Sequence, residues 1–269
     1  MTRKLPPYTR LRLERDDAVA RVILNRPEVR NAFDDVLIEE LTRAFRTVAA
    51  DPGIRVVVLS GEGASFCAGA DVAWMRKAGT YSRKKNEADA RRMARMLRTI
   101  DLCPKPVVAR VHGHAIGGGV GLIAAADVAI AAEGTVFALA EVKLGILPSV
   151  ISPYVLRAIG PRQARDLFLT GDRFDAAHAL RIGLVHRVVP PNELDAACQR
   201  KIDSLLTSGP QAVSIAKRLI ELIAGKKPDQ AMPLTVRTIA ARRSSAEARE
   251  GLTAFLEKRP ARWAGKKGS

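Results

Sequence analysis

Two short tracts of small residues could perform chemistry in this sequence without any reactive side chain. They read "SFCAGAD" over residues 65–71 and "HGHAIGGGVGL" over residues 112–122. Each follows a strand-like apolar run and leads into a predicted helix, whose first N–H groups lack intrahelical partners. Two such tracts facing each other would offer paired N–H donors to a carbonyl oxygen that gains negative charge, each worth roughly 3–4 kcal/mol. Taken singly, either tract fits a close-packed turn better.

Glu141 is a single carboxylate within an apolar stretch of the sequence. It stands between Ala140 and Val142 in the apolar segment "LAEVKLG". We expect burial to raise its pKa, because desolvation disfavours the charged form of a carboxyl group. Such a group can accept a proton and then return it. The alternative is an exposed or salt-bridged glutamate.

The second tract also matches a loose dinucleotide-binding fingerprint. Gly119, Gly121 and Ala124 fit the pattern G-x-G-x-x-A, and Glu141 lies about where a ribose-binding acid would be expected. That fingerprint normally opens its domain, whereas here more than 100 residues precede it. We therefore favour the paired-donor interpretation.

Composition restricts the classes of protein that remain. The 269 residues carry a formal net charge of +16, and 47% are hydrophobic while 4% are aromatic. No apolar run approaches the roughly 20 residues that span a bilayer, so we expect no membrane segment. The dispersed positive charges and scarce aromatic residues favour an anionic small ligand over nucleic acid. Three cysteines at unrelated spacings argue against disulfides or a metal site, and a cytoplasmic location is expected.

The elements that must position these residues form an α/β pattern. Strand, strand and helix recur three times before residue 160, which favours a repeated ββα spiral over a doubly wound sheet. Helices are predicted over residues 34–50 and 82–102. After Pro191 only helices remain. We therefore predict a core over residues 1–200 and a helical region over 201–269, which packs on the core or on another subunit.

Six motifs, in order along almost the whole chain, resemble the crotonase (enoyl-CoA hydratase/isomerase) family. They are "LNRPEVRNAF", "FCAGAD", "GHAIGGGVGL", "EVKLGILP", "LTGDRFDAAHALRIGLVHRVV" and "FLEKRP". The resemblance implies a crotonase-like ββα spiral core and a C-terminal helical region that builds a trimer or a dimer of trimers. It also implies an acyl-CoA thioester as substrate, with coenzyme A as part of the substrate and no separate cofactor.

The resemblance also implies roles for particular residues. The N–H groups of Ala68 and Gly118 would form the oxyanion hole, and Glu141 would be the acid–base group. Further residues would bind the coenzyme A portion of the substrate, the last two of them often from a neighbouring subunit: Gly69, Ala70, Asp71, Val72, Arg30, Phe255 and Lys258.

Two features depart from the usual pattern of this family. Two-acid hydratases carry a glutamate after the "GGG" turn, where this chain has Gly121. The segment "LPSVISPYVLRAIG" replaces a glycine-rich motif and is similar to bacterial methylglutaconyl-CoA and isohexenylglutaconyl-CoA hydratases. Substrates of those enzymes carry an extra carboxylate, and we hypothesise that this carboxylate, or a polar neighbour such as Ser149 or Ser152, helps to hold the water.

The leading hypothesis is therefore hydration of a 2-enoyl-CoA, of a branched glutaconyl type. A Δ3,Δ2-enoyl-CoA isomerase needs only one glutamate and is the nearest alternative. An RNA-binding or catalytically silent CoA-binding relative is the alternative of another class. Cys67 and the two histidines His112 and His114 are expected to pack or to bond the backbone, while Trp74 and Met75 line the acyl pocket or the core.

Overall fold

The structure is a computed structural model that describes residues 7–264 as nine strands, ten helices and short 3-10 turns. The strands are β1 (Leu11–Asp16), β2 (Val19–Leu24), β3 (Val56–Gly61), β4 (Val107–Val111), β5 (His114–Ile116), β6 (Val128–Ala132), β7 (Val136–Ala138), β8 (Arg173–Asp175) and β9 (Arg187–Val189). The helices are α1 (Asp35–Ala50), α2 (Val72–Ala78), α3 (Arg83–Asp101), α4 (Gly118–Ala125), α5 (Ser152–Thr170, interrupted at Gly160), α6 (Ala176–Arg181), α7 (Leu194–Leu206), α8 (Pro210–Ile223), α9 (Pro228–Arg243) and α10 (Ala246–Leu256).

Two sheets form the core of the fold. The larger one runs β1-β2-β3-β4-β6-β9, with β1 antiparallel to β2 and every later pair parallel. The smaller one runs β5-β7-β8, and a bridge from Cys67 to Ala115 extends it. The chain therefore turns three times through the large sheet, the small sheet and a helix, which confirms the ββα spiral. The dinucleotide-binding interpretation is wrong, because the strand order follows the chain and never reverses at a switch point.

Helices α1 and α3 cover the sheet as their apolar periodicity predicts. Asp34 caps α1 by accepting a 2.8 Å hydrogen bond from the N–H of Leu37, a device worth about 1 kcal/mol. Five side chains at helical spacing on α1 are fully buried: Leu37, Leu41, Ala44, Phe45 and Val48. On α3, Met96, Leu97 and Ile100 are buried in the same way. Both helices match their predicted ranges to within one residue at each end.

The C-terminal helices differ from the core in their exposure. The predicted boundary at residue 200 falls inside α7, whose buried side chains pack on β3, β4 and β6. Beyond it, α8 and α9 contain no fully buried residue, and large apolar side chains are exposed: Ile220, Met232, Val236, Ile239, Leu252, Phe255 and Leu256. The ends of the two predicted ranges, residues 1–6 and 265–269, lie outside the described residues. Within residues 7–264, none of the helices is both long enough and apolar enough to cross a membrane.

Candidate active site

A cavity of about 650 Å³ brings the two small-residue tracts together. Residues 68–70 of the first tract and 116–118 of the second form one side of it, and Glu141 projects from the 3-10 turn Ala140–Leu144. The remaining walls are mostly apolar: Trp74, Met75, Met93, Leu144, Ile146, Leu147, Val150 and Ile151. The tracts therefore do face one ligand-sized space, as the paired-donor interpretation requires.

The structure corrects the donor assigned to the first tract. The N–H of Ala68 donates a 2.9 Å hydrogen bond to the carbonyl oxygen of Arg30, so it is not available to a substrate. Gly69 then adopts φ of 90°, which turns the chain. The N–H of Ala70 finds no acceptor among residues 7–264, although the neighbouring N–H of Asp71 donates to Phe33. The N–H of Gly69 bonds the thiol of Cys67. Ala70 is therefore the donor that this tract offers to the cavity, and the prediction of Ala68 is wrong.

Gly118 supplies the second donor, as predicted from its place in the sequence. It is the first residue of α4, so its N–H has no acceptor one turn earlier in the helix. The two tracts are in direct contact, because a Cβ atom on Gly69 would lie 2.8 Å from the oxygen of Ile116 and 3.9 Å from the nitrogen of Gly118. An oxygen atom in the cavity can thus meet donors from both loops, at the positive end of the α4 dipole.

Among residues 7–264, Glu141 is the one carboxylate that lines this cavity. Its Oε2 atom is buried and has no hydrogen-bond partner among the described residues. Burial raises the pKa of its carboxyl group, as the apolar neighbours in the sequence predict. The other oxygen lies against the start of α4, since a Cβ atom on Gly117 would be 2.8 Å from Oε1. A carboxyl group with a raised pKa beside two N–H donors can move protons at a polarised carbonyl compound.

A buried polar network that sequence reasoning missed holds the first tract in place. The guanidinium of Arg26 donates at 2.9 Å to Asp71 and lies 3.3 Å from Asp34. Asp71 also accepts from the N–H groups of Ala73 at 2.8 Å and Trp74 at 3.1 Å. Burial alone would raise the pKa of Asp71, but these N–H groups and Arg26 lower it overall. The side chain of Asp71 thus fixes the residue next to Ala70, and the prediction that the backbone around Asp71 contacts coenzyme A stays a prediction.

The sequence and the fold agree with known proteins over nearly the whole chain. The model of the enoyl-CoA hydratase/isomerase family matches residues 14–266. The chain belongs to this family. A putative enoyl-CoA hydratase from Thermus thermophilus is 34% identical over 245 residues, which are 91% of this chain and 97% of that protein. Crotonyl-CoA hydratase from Syntrophomonas wolfei is 33% identical over 261 residues, 96% of this chain and 99% of that protein. The crystal structure of an enoyl-CoA hydratase from Shewanella pealeana superposes with a TM-score of 0.92 at 40% identity, over 95% of this chain and 96% of that one.

A second cavity lies beside the first, and it is relevant because the family that the chain belongs to is named for CoA compounds. It measures about 540 Å³ and shares Ala68, Ile116, Ala140 and Lys143 with the first. Arg30 and Arg173 also line it, so three cationic side chains surround this space. Arg30 therefore lies where a phosphate-rich portion of a ligand could be held.

The other residues predicted to contact coenzyme A lie away from both cavities. Val72 is 75% exposed at the start of α2. Phe255 is 79% exposed on α10, and Lys258 lies just beyond that helix. None of these side chains lines either cavity. A contact of Phe255 or Lys258 with the ligand of a neighbouring subunit stays a prediction.

The cysteine and histidine side chains near the tracts have structural contacts. Cys67 is fully buried, its thiol donates to the oxygen of Asn31 at 3.2 Å, and burial raises its pKa to about 12. Nε2 of His112 is 2.8 Å from the carbonyl oxygen of Gly63, and Nδ1 of His114 is 3.2 Å from the hydroxyl of Ser65. A thiol with that pKa stays protonated at neutral pH, which confirms the prediction of a packing role for Cys67.

Proposed function

We propose that the protein adds water across the double bond of a 2-enoyl-CoA thioester. The observation that carries this proposal is one apolar cavity that holds the N–H groups of Ala70 and Gly118 and the Oε2 atom of Glu141, all three without a hydrogen-bond partner in the part of the chain that the structure describes. A thioester enolate needs both kinds of group, because negative charge develops on its oxygen while a proton moves at carbon. The names of the relatives, which are hydratases, support the same reaction class.

The reaction can be written with Glu141 as the only proton carrier. The thioester oxygen accepts hydrogen bonds from Ala70 and Gly118, which makes C3 electrophilic. Glu141 takes a proton from water while the water oxygen bonds to C3, and the electron pair of the double bond moves onto the thioester as an enolate. Glu141 then returns the proton to C2, which completes the addition of one water molecule. Water and one proton carrier suffice, so the proposed reaction needs no cofactor besides the coenzyme A of the substrate.

The second cavity is suited to the phosphate groups of coenzyme A. Arg30, Lys143 and Arg173 line it, and it opens beside Ala68 next to the donor loop. Lys143 forms an exposed 3.0 Å ion pair with Asp172, so a phosphate would compete with one carboxylate for it. Cationic side chains around a phosphate ester supply charge-assisted hydrogen bonds. The net charge of +16 agrees with an anionic substrate.

We propose a branched glutaconyl-CoA as the acyl group to test first. A second carboxylate on the substrate would need polar partners, and Lys143, Asn86, Ser149 and the indole N–H of Trp74, which has no acceptor among the described residues, line the cavity besides Glu141. The hydroxyl of Ser152 instead donates at 2.7 Å to the oxygen of Ser149. If these groups hold the carboxylate, an analogue without it will turn over much more slowly. Equal rates for both thioesters would contradict this choice of acyl group.

The decisive experiment assays a panel of 2-enoyl-CoA and 3-enoyl-CoA thioesters with the wild type and Glu141→Gln. We expect 3-hydroxyacyl-CoA from at least one 2-enoyl thioester and its loss in the variant. Full activity in Glu141→Gln would overturn the assignment of the acid–base group. Binding of the thioesters without any turnover would identify a silent CoA-binding protein, and salt-sensitive RNA binding that survives the substitution would support the RNA-binding alternative.

Isomerisation of a 3-enoyl-CoA is the second candidate function. The specific observation in its favour is that Glu141 is the single carboxylate of the cavity. A proton leaves C2 for Glu141 and returns at C4, while the double bond moves from C3–C4 to C2–C3. No water is consumed, so one acid–base group is enough. Assays in labelled water distinguish the two reactions, since only hydration gives 3-hydroxyacyl-CoA.

We also propose that the chain assembles as a trimer or a dimer of trimers through its C-terminal helices. A groove of about 760 Å³ between α8, α9 and α10 is lined by apolar side chains that include Leu219, Val236, Ile239 and Leu252. Exposed apolar surfaces of this extent mark contact surfaces between proteins. Light scattering after gel filtration measures the assembly directly, and a monomer at micromolar concentration would contradict the proposal.

A further inference from the structure

Gly121 and Ile151 meet beside the carboxylate of Glu141. Gly121 follows Gly117 by one turn of α4, since its N–H donates to the oxygen of Gly117 at 3.1 Å. A Cβ atom on Gly117 would lie 2.8 Å from Oε1 of Glu141, and one on Gly121 would lie 2.3 Å from Cγ2 of Ile151. Glu141 therefore lies at the residue that caps α4, Ile151 lies one turn further along that helix, and both side chains line the same cavity.

The side chain of Ile151 forms part of the cavity wall. It is 2% exposed, and it lines the cavity with Glu141. A side chain at position 121 and Ile151 cannot coexist, because contacts under 3.0 Å with a Cβ atom require one of the groups to shift. The Cβ atom of Ile151 itself would lie 2.8 Å from the added atom. Trimming Ile151 to alanine would thus leave the conflict, and only glycine at position 151 removes it.

We propose that Gly121 and Ile151 form a coupled pair, in which Ile151 fills the space beside Glu141 and sets the ratio of water addition to proton transfer. This inference rests on the proposed function and adds the residue that determines reaction specificity. A water molecule is held by two to four polar partners, and Ile151 offers it none. Proton transfer from C2 to C4 through Glu141 needs no water. The apolar wall therefore disfavours hydration relative to isomerisation.

The test measures kcat/KM for hydration of a 2-enoyl-CoA and for isomerisation of the matching 3-enoyl-CoA. We expect Ile151→Ala to raise the hydration-to-isomerisation ratio by about tenfold, because the vacated space lets a water molecule reach Oε2 of Glu141 and one hydrogen bond gained has about that effect. Ile151→Thr keeps the branched shape, places a hydroxyl in the wall, and should shift the ratio in the same direction. Ile159→Ala is the matched control, because Ile159 is buried in α5 but does not line the cavity.

A double variant tests the coupling between the two positions. Gly121→Glu alone should lose both activities, because its Cβ atom collides with Ile151. Combined with Ile151→Gly, the new carboxylate has space beside Glu141, and the hydration ratio should rise by about a hundredfold or more. The inference is overturned if both activities fall in parallel in Ile151→Ala and Ile151→Thr, or if the double variant folds with the wild-type ratio. A wild type that turns over neither thioester would overturn the proposed function and this inference together.

Discussion

Replacing Glu141 by glutamine should lower activity and raise stability at the same time. Glutamine keeps the shape of the side chain, but it can carry neither the transferred proton nor the negative charge. General acid–base catalysis contributes about 10²–10⁴ in rate, so kcat should fall by that factor, or about 3–5.5 kcal/mol of transition-state stabilisation. Substrate binding should change little, since the N–H groups of Ala70 and Gly118 are untouched.

The stability change follows from the pKa of Glu141. Burial raises this pKa above its value in the unfolded chain, so the folded protein binds the proton more tightly. The free energy of unfolding is therefore highest below the unfolded-state pKa, and it falls as the pH rises through the folded-state pKa. Each unit by which the pKa is raised costs about 1.4 kcal/mol at higher pH. Glu141→Gln avoids this cost, and each 1 kcal/mol gained should raise Tm by about 2–4 °C in a chain of this size.

Two assays check the prediction. Loss of the conjugated thioester absorbance gives kcat, and thermal unfolding at a fixed protein concentration gives Tm across the pH range. Glu133→Gln, an exposed glutamate after β6, is the matched control and should change neither quantity. The reasoning is refuted if Glu141→Gln keeps wild-type kcat, or if the difference in Tm between it and the wild type stays constant from acidic to alkaline pH.

Three further predictions concern the N–H groups of the first tract, the ion pairs of Arg26, and the second cavity. Replacing the amide at Ala70 by an ester removes its N–H and should lower kcat by about 10²–10³. An ester at Ala68 instead removes the hydrogen bond to the carbonyl oxygen of Arg30, so it should lower the free energy of unfolding by about 1 kcal/mol and leave kcat nearly unchanged. Equal effects on kcat at the two positions would count against Ala70. Arg26→Met removes the buried cation that Asp34 and Asp71 share, although Asp34 keeps Arg10 and Asp71 keeps its N–H donors, and it should cost about 1.5–3 kcal/mol in urea unfolding. A loss under 1 kcal/mol would contradict a stabilising role for Arg26. Arg173→Ala should raise KM for acyl-CoA thioesters but not for the pantetheine thioesters that lack the nucleotide, because Arg173 lines only the second cavity. Arg162→Ala, at an exposed position of α5 that lines neither cavity, should raise neither KM.

The burial of Glu141 and the main helices could be predicted from local sequence because their causes are local. Apolar neighbours on both sides of Glu141 predicted its desolvation, and the raised pKa confirms that direction. The spacing of Leu37, Leu41 and Val48 fixed the buried face of α1 in the same way. Hydrophobic periodicity reports which side of a helix faces the core, and it needs no knowledge of the partner.

The identity of the first donor could not be predicted from its own tract. The sequence shows small residues on both sides of Gly69, and either alanine has an N–H to offer. The choice depends on Arg30, far earlier in the chain, whose carbonyl oxygen occupies the N–H of Ala68. Arg30 itself adopts φ of 54°, so this pairing depends on an unusual backbone turn. Contacts between distant segments of this kind have no signal in a single sequence.

The buried polar network explains how a loop of such small residues keeps one backbone conformation, in which the N–H of Ala68 is bonded to Arg30 and the N–H of Ala70 faces the cavity. Glycine and alanine have little side-chain surface to pack, so hydrophobic contact alone cannot hold the loop rigid. Arg26 and Asn31 supply the missing constraints: the Asn31 amide donates to the oxygens of Glu62 at 2.9 Å and Ser65 at 2.8 Å, while Arg26 holds Asp71. A donor that is already oriented costs no reorganisation when the oxyanion forms. The pair of Arg26 and Asp71 therefore orients this loop through its backbone, and neither side chain lines either cavity.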